Sequence, residues 1–369
     1  MSGAARWTCA ARCGAARAGT LTVRGRSVST PAFMPVGTYG AVKGLMPDVL
    51  SHVGTHLLVA NACHLHDRPG ADVVAALGGL HRFMAWDGLL LTDSGGFQVF
   101  SMLQIAQLDD EGVTFRSPID GRSLRLGPLE AVQVQLQLDA DIAMSFDHCP
   151  PLPASPELLA LSVERTTRWS ALARARHAER NAAGQALFGI VQGGLDDALR
   201  ARSAREIVAL GFDGYAVGGL SVGEESAELR AALGRYAPLL PEGQVRYVMG
   251  VGAPGDLRAA IAAGFDLFDS VLPTRNGRHG TVFTAEGPLN LRGTRHRLQA
   301  GPLEPGCDCP ACTRWDVGAL RHLFVSHDPL AGALCAAHNL RHLHRLVEQA
   351  RREIVAGEFV PPATDAAPA

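Results

Sequence analysis

Short apolar runs recur along the chain, and each ends abruptly at a polar residue or a glycine. Eight of them read as strands, at positions 33–36, 57–59, 89–91, 142–146, 187–191, 215–217, 247–249 and 267–268. Between most of them, apolar residues return with the period of a helix, as at 128–138, 156–180, 195–210, 225–236 and 255–263. Buried strands alternating with helices predict an α/β fold with a parallel sheet, and eight such units predict a closed (β/α)8 TIM barrel. A doubly wound open sheet is the alternative.

Two stretches interrupt this alternation. The insertion at 97–125 follows the third run, and its turn residues Ser117, Pro118, Asp120 and Gly121 predict a hairpin over the barrel mouth. From about Arg275 the pattern changes to turns, arginines and cysteines. We therefore expect an N-terminal tail at 1–20, a barrel at 21–272, a small inserted or appended subdomain at 273–340, and a C-terminal helix and tail at 341–369.

Composition narrows the class of protein. The 369 residues suit a single large α/β barrel with an appendage, and an apolar content of 47% excludes global disorder. The net charge of −2 excludes a globally basic coat, so any contact with nucleic acid requires a local patch. The first 47 residues contain no Asp or Glu, which faintly resembles a transit peptide, but a short basic tail leading into a strand is preferred. With no apolar run long enough to span a bilayer and no secretory signal, a soluble, cytoplasmic protein is expected.

Polar residues and glycines follow the predicted strands directly. In a TIM barrel the carboxyl ends of all strands meet at one face, where active sites are built. The residues expected at this mouth are Asp93, Asp147, Gln192, Gly218, Gly219 and Asp269. Two or three carboxylates at one mouth suit glycosidic chemistry, with one as nucleophile and another as acid/base. Phe97 or Met249 could cover the faces of a flat heterocycle, although a Met after a strand more often belongs to the core.

A basic stretch follows the last strand. Arg275 to Arg297 supplies the local positive patch that the overall charge lacks, and arginines suit phosphate contacts. A solvated basic loop is the alternative.

Three cysteines lie within six residues, at Cys307, Cys309 and Cys312. Thiolates at this spacing reach one tetrahedral ion, and zinc is the usual metal of such a site. A fourth ligand is required, and His322, His327 and His338 are all candidates. With four protein ligands the zinc would be structural; three unliganded thiols in a loop are the alternative.

These residues and motifs resemble the queuine/archaeosine tRNA-ribosyltransferase family, and specifically its bacterial branch. The resemblance spans roughly 20–350 and rests on blocks that occur in the family's order, at 35–38, 64–70, 92–101, 115–121, 188–194, 211–219, 249–252, 268–280 and the cysteine cluster. It implies a (β/α)8 barrel with an inserted zinc subdomain at 273–340 that contacts tRNA. It also implies exchange of the wobble guanine, in tRNAs with GUN anticodons, for the queuosine precursor preQ1 (7-aminomethyl-7-deazaguanine), with guanine as product. Those tRNAs carry Asp, Asn, His and Tyr.

The resemblance also implies a role for each matching residue. Asp269 would be the nucleophile that attacks C1′ of the ribose, and Asp93 the general acid/base. Contacts to the base would come from Ser94, Phe97, Asp147, Gln192, Gly218, Gly219, Leu220, Glu224 and Met249, with Phe97 and Met249 stacking on its faces. RNA contacts would come from Arg275, Asn276, Gly277 and Arg278. His338 would complete the ligand set Cys307, Cys309, Cys312 for one structural Zn²⁺ per subunit of a homodimer.

Four positions depart from the family pattern. Cys63 replaces a Tyr, His148 a Glu, Ser270 a frequent Cys, and Ala319 a Tyr of the aromatic cluster expected at a dimer contact.

Alternative functions remain open at this point. A non-catalytic RNA-binding subunit of the same fold would lack a catalytic carboxylate, whereas Asp93 and Asp269 are both present. An unrelated metal-dependent barrel hydrolase would need ligands at several strand ends. The resemblance favours preQ1 over queuine, because Cys149 and Val222 match the bacterial pattern.

Overall fold

Eight parallel strands close into a barrel, as the sequence predicts. The computed structural model describes residues 3–102, 105–181, 183–221 and 223–362. The barrel strands are β4 (Ala32–Gly37), β5 (Leu57–Asn61), β6 (Leu89–Asp93), β10 (Ile142–Met144), β11 (Ala186–Val191), β12 (Gly214–Val217), β13 (Arg246–Val248) and β14 (Leu267–Ser270). They pair in this order, and β14 closes the barrel on β4 with Leu267 opposite Ala32. All eight predicted strands are present, and the closed barrel excludes the open sheet.

Helices lie outside the barrel or at its mouth. The helices within the barrel region are α1 (Pro47–His52), α2 (Ala62–Asp67), α3 (Ala71–Ala76), α4 (Leu80–Met84), α5 (Gly96–Met102), α6 (Pro128–Leu138), α7 (Pro156–Arg180), α8 (Asp197–Ala209), α9 (Ser226–Tyr236) and α10 (Pro254–Ala263). The predicted bounds of α6 and α7 are confirmed to the residue. No helix in the described part of the chain has the length and apolarity to cross a membrane.

The N-terminal segment folds into a sheet, where the sequence predicts a tail to residue 20. Strands β1 (Ala5–Cys13), β2 (Ala16–Val23) and β3 (Arg26–Thr30) form an antiparallel sheet. Leu21, Val23 and Val28 share a core cluster with the inward side chains of the barrel strands. This sheet was not predicted because side chains along β1 alternate between half-buried and exposed, and arginines and a threonine interrupt its apolar residues.

The insertion after β6 forms a three-stranded antiparallel sheet instead of a simple hairpin. Its strands are β7 (Ile105–Leu108), β8 (Val113–Arg116) and β9 (Ser123–Leu126), and only β8 and β9 make the predicted hairpin. Val113, Phe115 and Leu126 pack with Trp169 of α7. The insertion is thereby attached to the barrel wall beside the mouth.

The segment 273–340 consists of short elements against a long helix. They are β15 (Thr281–Val282), β16 (Leu289–Asn290), α11 (Leu272–Arg278), α12 (Val317–Val325) and the first part of α13 (Pro329–Ala356). The helix α13 runs through the expected boundary between 340 and 341, and the four-part division of the chain stays a prediction. Residues 1–2 and 363–369 of the predicted tails lie outside the described part.

Candidate active site

A cavity of about 680 Å³ opens at the carboxyl ends of the barrel strands. Eleven of the predicted site residues line it: Asp93, Ser94, Phe97, Asp147, Gly218, Gly219, Leu220, Glu224, Met249, Asp269 and Arg275. Gln192 lies behind the wall and reaches it through Asp147. The tertiary fold therefore brings together groups that are distant in the chain, such as Asp93 and Asp269, which are 176 positions apart.

Asp269 is the second-last residue of β14 and lines the cavity. Its Oδ1 accepts a hydrogen bond from the Tyr247 hydroxyl at 2.6 Å and another from the Gly250 amide at 2.9 Å. Burial raises the pKa of Asp269, and the hydrogen bonds from Tyr247 and Gly250 oppose that rise. Both bonds fall on Oδ1, so the carboxylate is held in one orientation. Tyr247 was not among the predicted site residues, because its position at the start of the predicted strand 247–249 carries no sign of a functional role.

Asp93 ends β6 and is held by three donors. Its Oδ2 accepts from the side-chain amides of Asn61 at 2.8 Å and Gln98 at 3.0 Å, and its Oδ1 accepts from the Ala62 amide at 3.2 Å. Burial raises the pKa of Asp93 to about 7, with the charge of Asp269 adding to the rise. A carboxyl group with this pKa can both give and accept a proton at neutral pH. Asn61 and Gln98 were not among the predicted site residues either, although Gln98 lies within the block at 92–101 and Asn61 closely follows the apolar run at 57–59.

Asp147 also lines the cavity and is almost fully buried. Gln192 donates to its Oδ2 at 2.6 Å, and Ser94 donates to its Oδ1 at 3.3 Å. Burial raises the pKa of Asp147 to about 6, which leaves it ionised at neutral pH. A Cβ on Gly96 would lie 2.2 Å from Oδ1 of Asp147, so only glycine fits there. This contact explains why Gly96, the second of two adjacent glycines in the block at 92–101, is a glycine.

A fully buried arginine supports the cavity wall. Arg200 donates to the carbonyl oxygens of Val191 at 2.7 Å, Gly194 at 2.8 Å and Gly218 at 2.7 Å. It thereby joins the loops after β11 and β12 on which the predicted base contacts lie. Arg200 was not among the predicted site residues, because an arginine in a helix normally indicates an exposed position.

The loop after β12 carries the remaining predicted base contacts. Leu220 is buried, and the backbone amide of Ser221 donates to Oε1 of Glu224. Glu224 therefore braces the backbone next to the Leu220 carbonyl. Val222 lies outside the described residues.

Four predicted RNA contacts lie in helix α11, where the sequence suggested a loop. Arg275 is exposed and lines the cavity, whereas Asn276, Gly277 and Arg278 do not line it. Gly277 is buried against α13, and a Cβ there would lie 2.4 Å from the Ala336 nitrogen. Gly277 therefore permits close packing of two helices.

The departures from the family pattern have local partners. The ring of His148 stacks near Phe100, at 4.2 Å between centroids, and its Nδ1 lies 3.2 Å from Nη1 of Arg165. Burial lowers the pKa of His148 to about 4, so the ring is neutral. Burial is the main cause that raises the pKa of the Cys63 thiol to about 12. The Oγ atom of Ser270 accepts a hydrogen bond from the Leu272 amide at 3.1 Å.

Three cysteines and one histidine form a cluster that can hold a metal ion. The ligand atoms of Cys307, Cys309, Cys312 and His338 all lie within 4.8 Å of one another. Nδ1 of His338 is 3.8, 3.5 and 3.3 Å from the three sulfur atoms in that order, while Nε2 is 2.8 Å from the Phe283 carbonyl oxygen. With its proton on Nε2 and donated to that carbonyl, His338 would have its Nδ1 lone pair free to bind an ion in the cluster. Of the three candidate histidines, His338 is the one in the cluster, and His322 and His327 are exposed.

Asp147→Asn is expected to stabilise the folded protein at pH 8 but not at pH 4. A carboxyl whose folded pKa is about 6 binds protons more tightly than in the unfolded chain, so wild-type stability falls as pH rises from about 4 to 6. The asparagine does not titrate, and Ser94 and the Gln192 amide can reorient around it. The difference in unfolding free energy should approach about 3 kcal/mol at pH 8. Urea unfolding at both pH values measures it, and an equal difference at both would contradict the argument.

Comparison with known proteins identifies relatives over nearly the whole chain. The profile of the family described as "Queuine tRNA-ribosyltransferase" matches residues 12–365. A queuine tRNA-ribosyltransferase of Gluconacetobacter diazotrophicus is 49% identical over 357 residues, which are 97% of this chain and 92% of that protein. A protein of the same name from Nitrosomonas europaea is 48% identical over 93% of this chain and 92% of its own length. Another, from Thiobacillus denitrificans, is 47% identical over 94% of both chains.

Proposed function

The chain belongs to the queuine tRNA-ribosyltransferase family, whose members are tRNA-guanine transglycosylases, and we propose that it exchanges the wobble guanine of tRNAs with GUN anticodons for preQ1. The observation that carries this proposal is a pair of carboxyl groups, the buried Asp93 and the half-buried Asp269, that line one cavity with a third carboxylate, the buried Asp147. Two of them suit glycosidic chemistry, and the third suits recognition of the base.

In the first displacement, the Asp269 carboxylate attacks C1′ of the ribose at position 34. The bond from C1′ to the guanine nitrogen breaks, and its electron pair stays with the base. Asp93 donates a proton to the departing guanine, and an ester between Asp269 and C1′ remains. Tyr247 and the Gly250 amide hold Oδ1 of Asp269, which leaves Oδ2 as the attacking oxygen.

In the second displacement, preQ1 takes the place of guanine. Asp93 removes the proton from its ring nitrogen, which attacks C1′ and releases the Asp269 carboxylate. Two inversions at one carbon retain the stereochemistry. Because one glycosidic bond replaces another, the exchange needs no nucleotide cofactor.

Base selection falls to the groups around Asp147. Its carboxylate would accept hydrogen bonds from the ring N–H and the exocyclic amino group of a guanine-like base. The polar edge of the base would also be bound by Ser94, Gln192 and the backbone at Gly218 and Gly219. Its two faces would be covered by Phe97 and Met249. The Leu220 carbonyl, braced by Glu224, would accept from the aminomethyl group of preQ1. Guanine must leave the base stack to enter such a pocket, as in other enzymes that act on bases.

Exchange of labelled guanine into an anticodon stem-loop containing G34 and U35 tests the proposal. Incorporation should require this loop sequence and should be inhibited by preQ1. RNA binding with no exchange would favour the non-catalytic subunit instead.

We propose that the RNA contacts come from Arg275, which is exposed at the cavity, and Arg278, with Asn276 and Gly277 shaping the helix that carries them. We also propose a homodimer in the cytoplasm, where the tRNA substrate is found. At the dimer contact, the half-buried Ala319 on α12 would occupy the position where the family pattern has a larger Tyr.

We propose that the ion in the Cys3His cluster is one structural zinc per subunit. The sulfur-rich donor set favours zinc, and four protein ligands leave no position for a substrate. The ion would tie the 307–312 segment to α13, against which α11 packs.

His338→Ala is expected to lose the metal, whereas His322→Ala and His327→Ala retain it. Loss of one ligand removes binding energy that is coupled to folding, so the 273–340 region should also unfold at lower temperature. Metal analysis by plasma mass spectrometry and a thermal melt measure the two effects. Full zinc occupancy in the His338→Ala protein would refute the ligand assignment.

A further inference from the structure

Two exposed aromatic rings stand at the cavity, and the proposed chemistry uses only one of them. Among Phe, Tyr and Trp in the described residues, only Tyr39 and Phe97 are exposed, with 49% and 40% of their surface accessible. Phe97 lines the cavity itself. The Tyr39 ring lies against that of His64, with 4.9 Å between centroids and 45° between planes, and His64 lines the cavity. Tyr39 therefore stands just outside the mouth.

The local backbone presents this pair of rings to solvent. Tyr39 is at the corner of a tight turn after β4, closed by a hydrogen bond of 3.0 Å from the Gly40 amide to the Gly37 carbonyl. His64 is in α2, and its amide donates to the side chain of Asn61 at 3.3 Å. Asn61 in turn donates to Asp93. His64 is thus linked through Asn61 to Asp93, the proposed general acid/base.

The chemistry of the two rings suits a nucleobase better than a phosphate. Burial lowers the pKa of His64 and outweighs the opposing charge of Asp67, so the imidazole is neutral at pH 7. A phenol and a neutral imidazole offer flat faces without positive charge. A nucleotide extracted from an RNA loop leaves its neighbours unstacked, and exposed aromatic side chains are the usual partners of such bases.

We propose that Tyr39 and His64 form an aromatic ledge that stacks a base adjacent to the wobble position, either 33 or 35. This ledge rests on the proposed function, because it needs an anticodon loop in the cavity. It is a second subsite for RNA, separate from the pocket that selects the exchanged base. Its effect is on the affinity for RNA, with no part in the affinity for free preQ1.

Binding in an Asp269→Asn background tests the ledge without chemistry. Fluorescence anisotropy would compare an intact stem-loop with loops that are abasic at 33 or at 35. Tyr39→Ala should weaken binding of the intact loop by about 5- to 150-fold, the range for loss of one stacked base. Tyr39→Phe should retain the affinity. Leu172→Ala, an exposed residue of α7 at 42%, is the control and should change nothing.

The abasic loops supply the decisive comparison. If the ledge stacks a base, Tyr39→Ala has no further effect on one of the two abasic loops. An equal loss on all three RNAs would overturn the proposal and assign the ring to folding or subunit contact. No loss on the intact loop would overturn it as well. Failure of the wild-type protein to exchange guanine would refute the proposed function instead, and that result is independent of the binding series.

Discussion

Asp269→Asn is expected to abolish guanine exchange and to form no covalent adduct with RNA, while RNA binding persists. A carboxamide is not a competent nucleophile at C1′. Its oxygen can still accept the hydrogen bonds from Tyr247 and Gly250, so the local structure should be preserved. The adduct of the wild-type protein should be visible on a denaturing gel, and it should accumulate when no acceptor base is supplied.

Asp93→Asn is the matched comparison for this result. It keeps the nucleophile but cannot protonate the departing guanine, so adduct formation should slow by roughly 10²- to 10⁴-fold, as is typical when a general acid is lost. An adduct in Asp269→Asn and none in Asp93→Asn would reverse the two roles. Peptide mapping of the trapped adduct identifies the esterified residue directly.

Asp147→Ala is expected to remove measurable binding of free preQ1 and guanine while RNA binding persists. The substitution deletes a buried carboxylate that the base's N–H groups would face, and the loss of such a charged partner costs roughly 2–5 kcal/mol. Affinity should therefore fall by roughly 30- to 5,000-fold. Isothermal titration calorimetry with preQ1 measures the loss.

Two comparisons make this test specific. Asp147→Asn keeps the shape of the side chain but presents an amide with one acceptor, so it should weaken preQ1 binding by a smaller factor than Asp147→Ala. Anisotropy with the stem-loop should show little change in either variant, because the RNA contacts are assigned to Arg275 and Arg278. Unchanged preQ1 affinity in Asp147→Ala would refute the role of this carboxylate.

The barrel could be predicted because each strand is buried on both faces. Such strands read as continuous apolar runs, and all eight are present with small shifts at their ends. The three-residue runs at 57–59 and 89–91 each extend by two residues and end on a polar one, Asn61 and Asp93, because the parallel ladder continues to the mouth. The amphipathic β1 gave no comparable signal, so its sheet was missed.

The site residues could be predicted in part for a geometrical reason. A barrel brings all carboxyl strand ends to one mouth, so polar residues at those ends must converge even when they are distant in sequence. This convergence is the reason why one cavity is lined by Asp93, Asp147 and Asp269. The cysteine spacing likewise predicted a metal cluster. It left three downstream histidines as candidates for the fourth ligand, and it could not choose among them.

The sequence by itself determined the strand–helix alternation, the polar strand ends, the cysteine triplet and the family blocks, because each depends on residues close together in the chain. Only the tertiary structure decided which groups hold those residues in place. Tyr247 on Asp269, Asn61 on Asp93 and Arg200 beneath Gly218 are contacts between different elements, and no local pattern records them. The pKa of Asp93 near 7 was equally invisible in the sequence, because it arises from burial, which the assembled barrel alone creates.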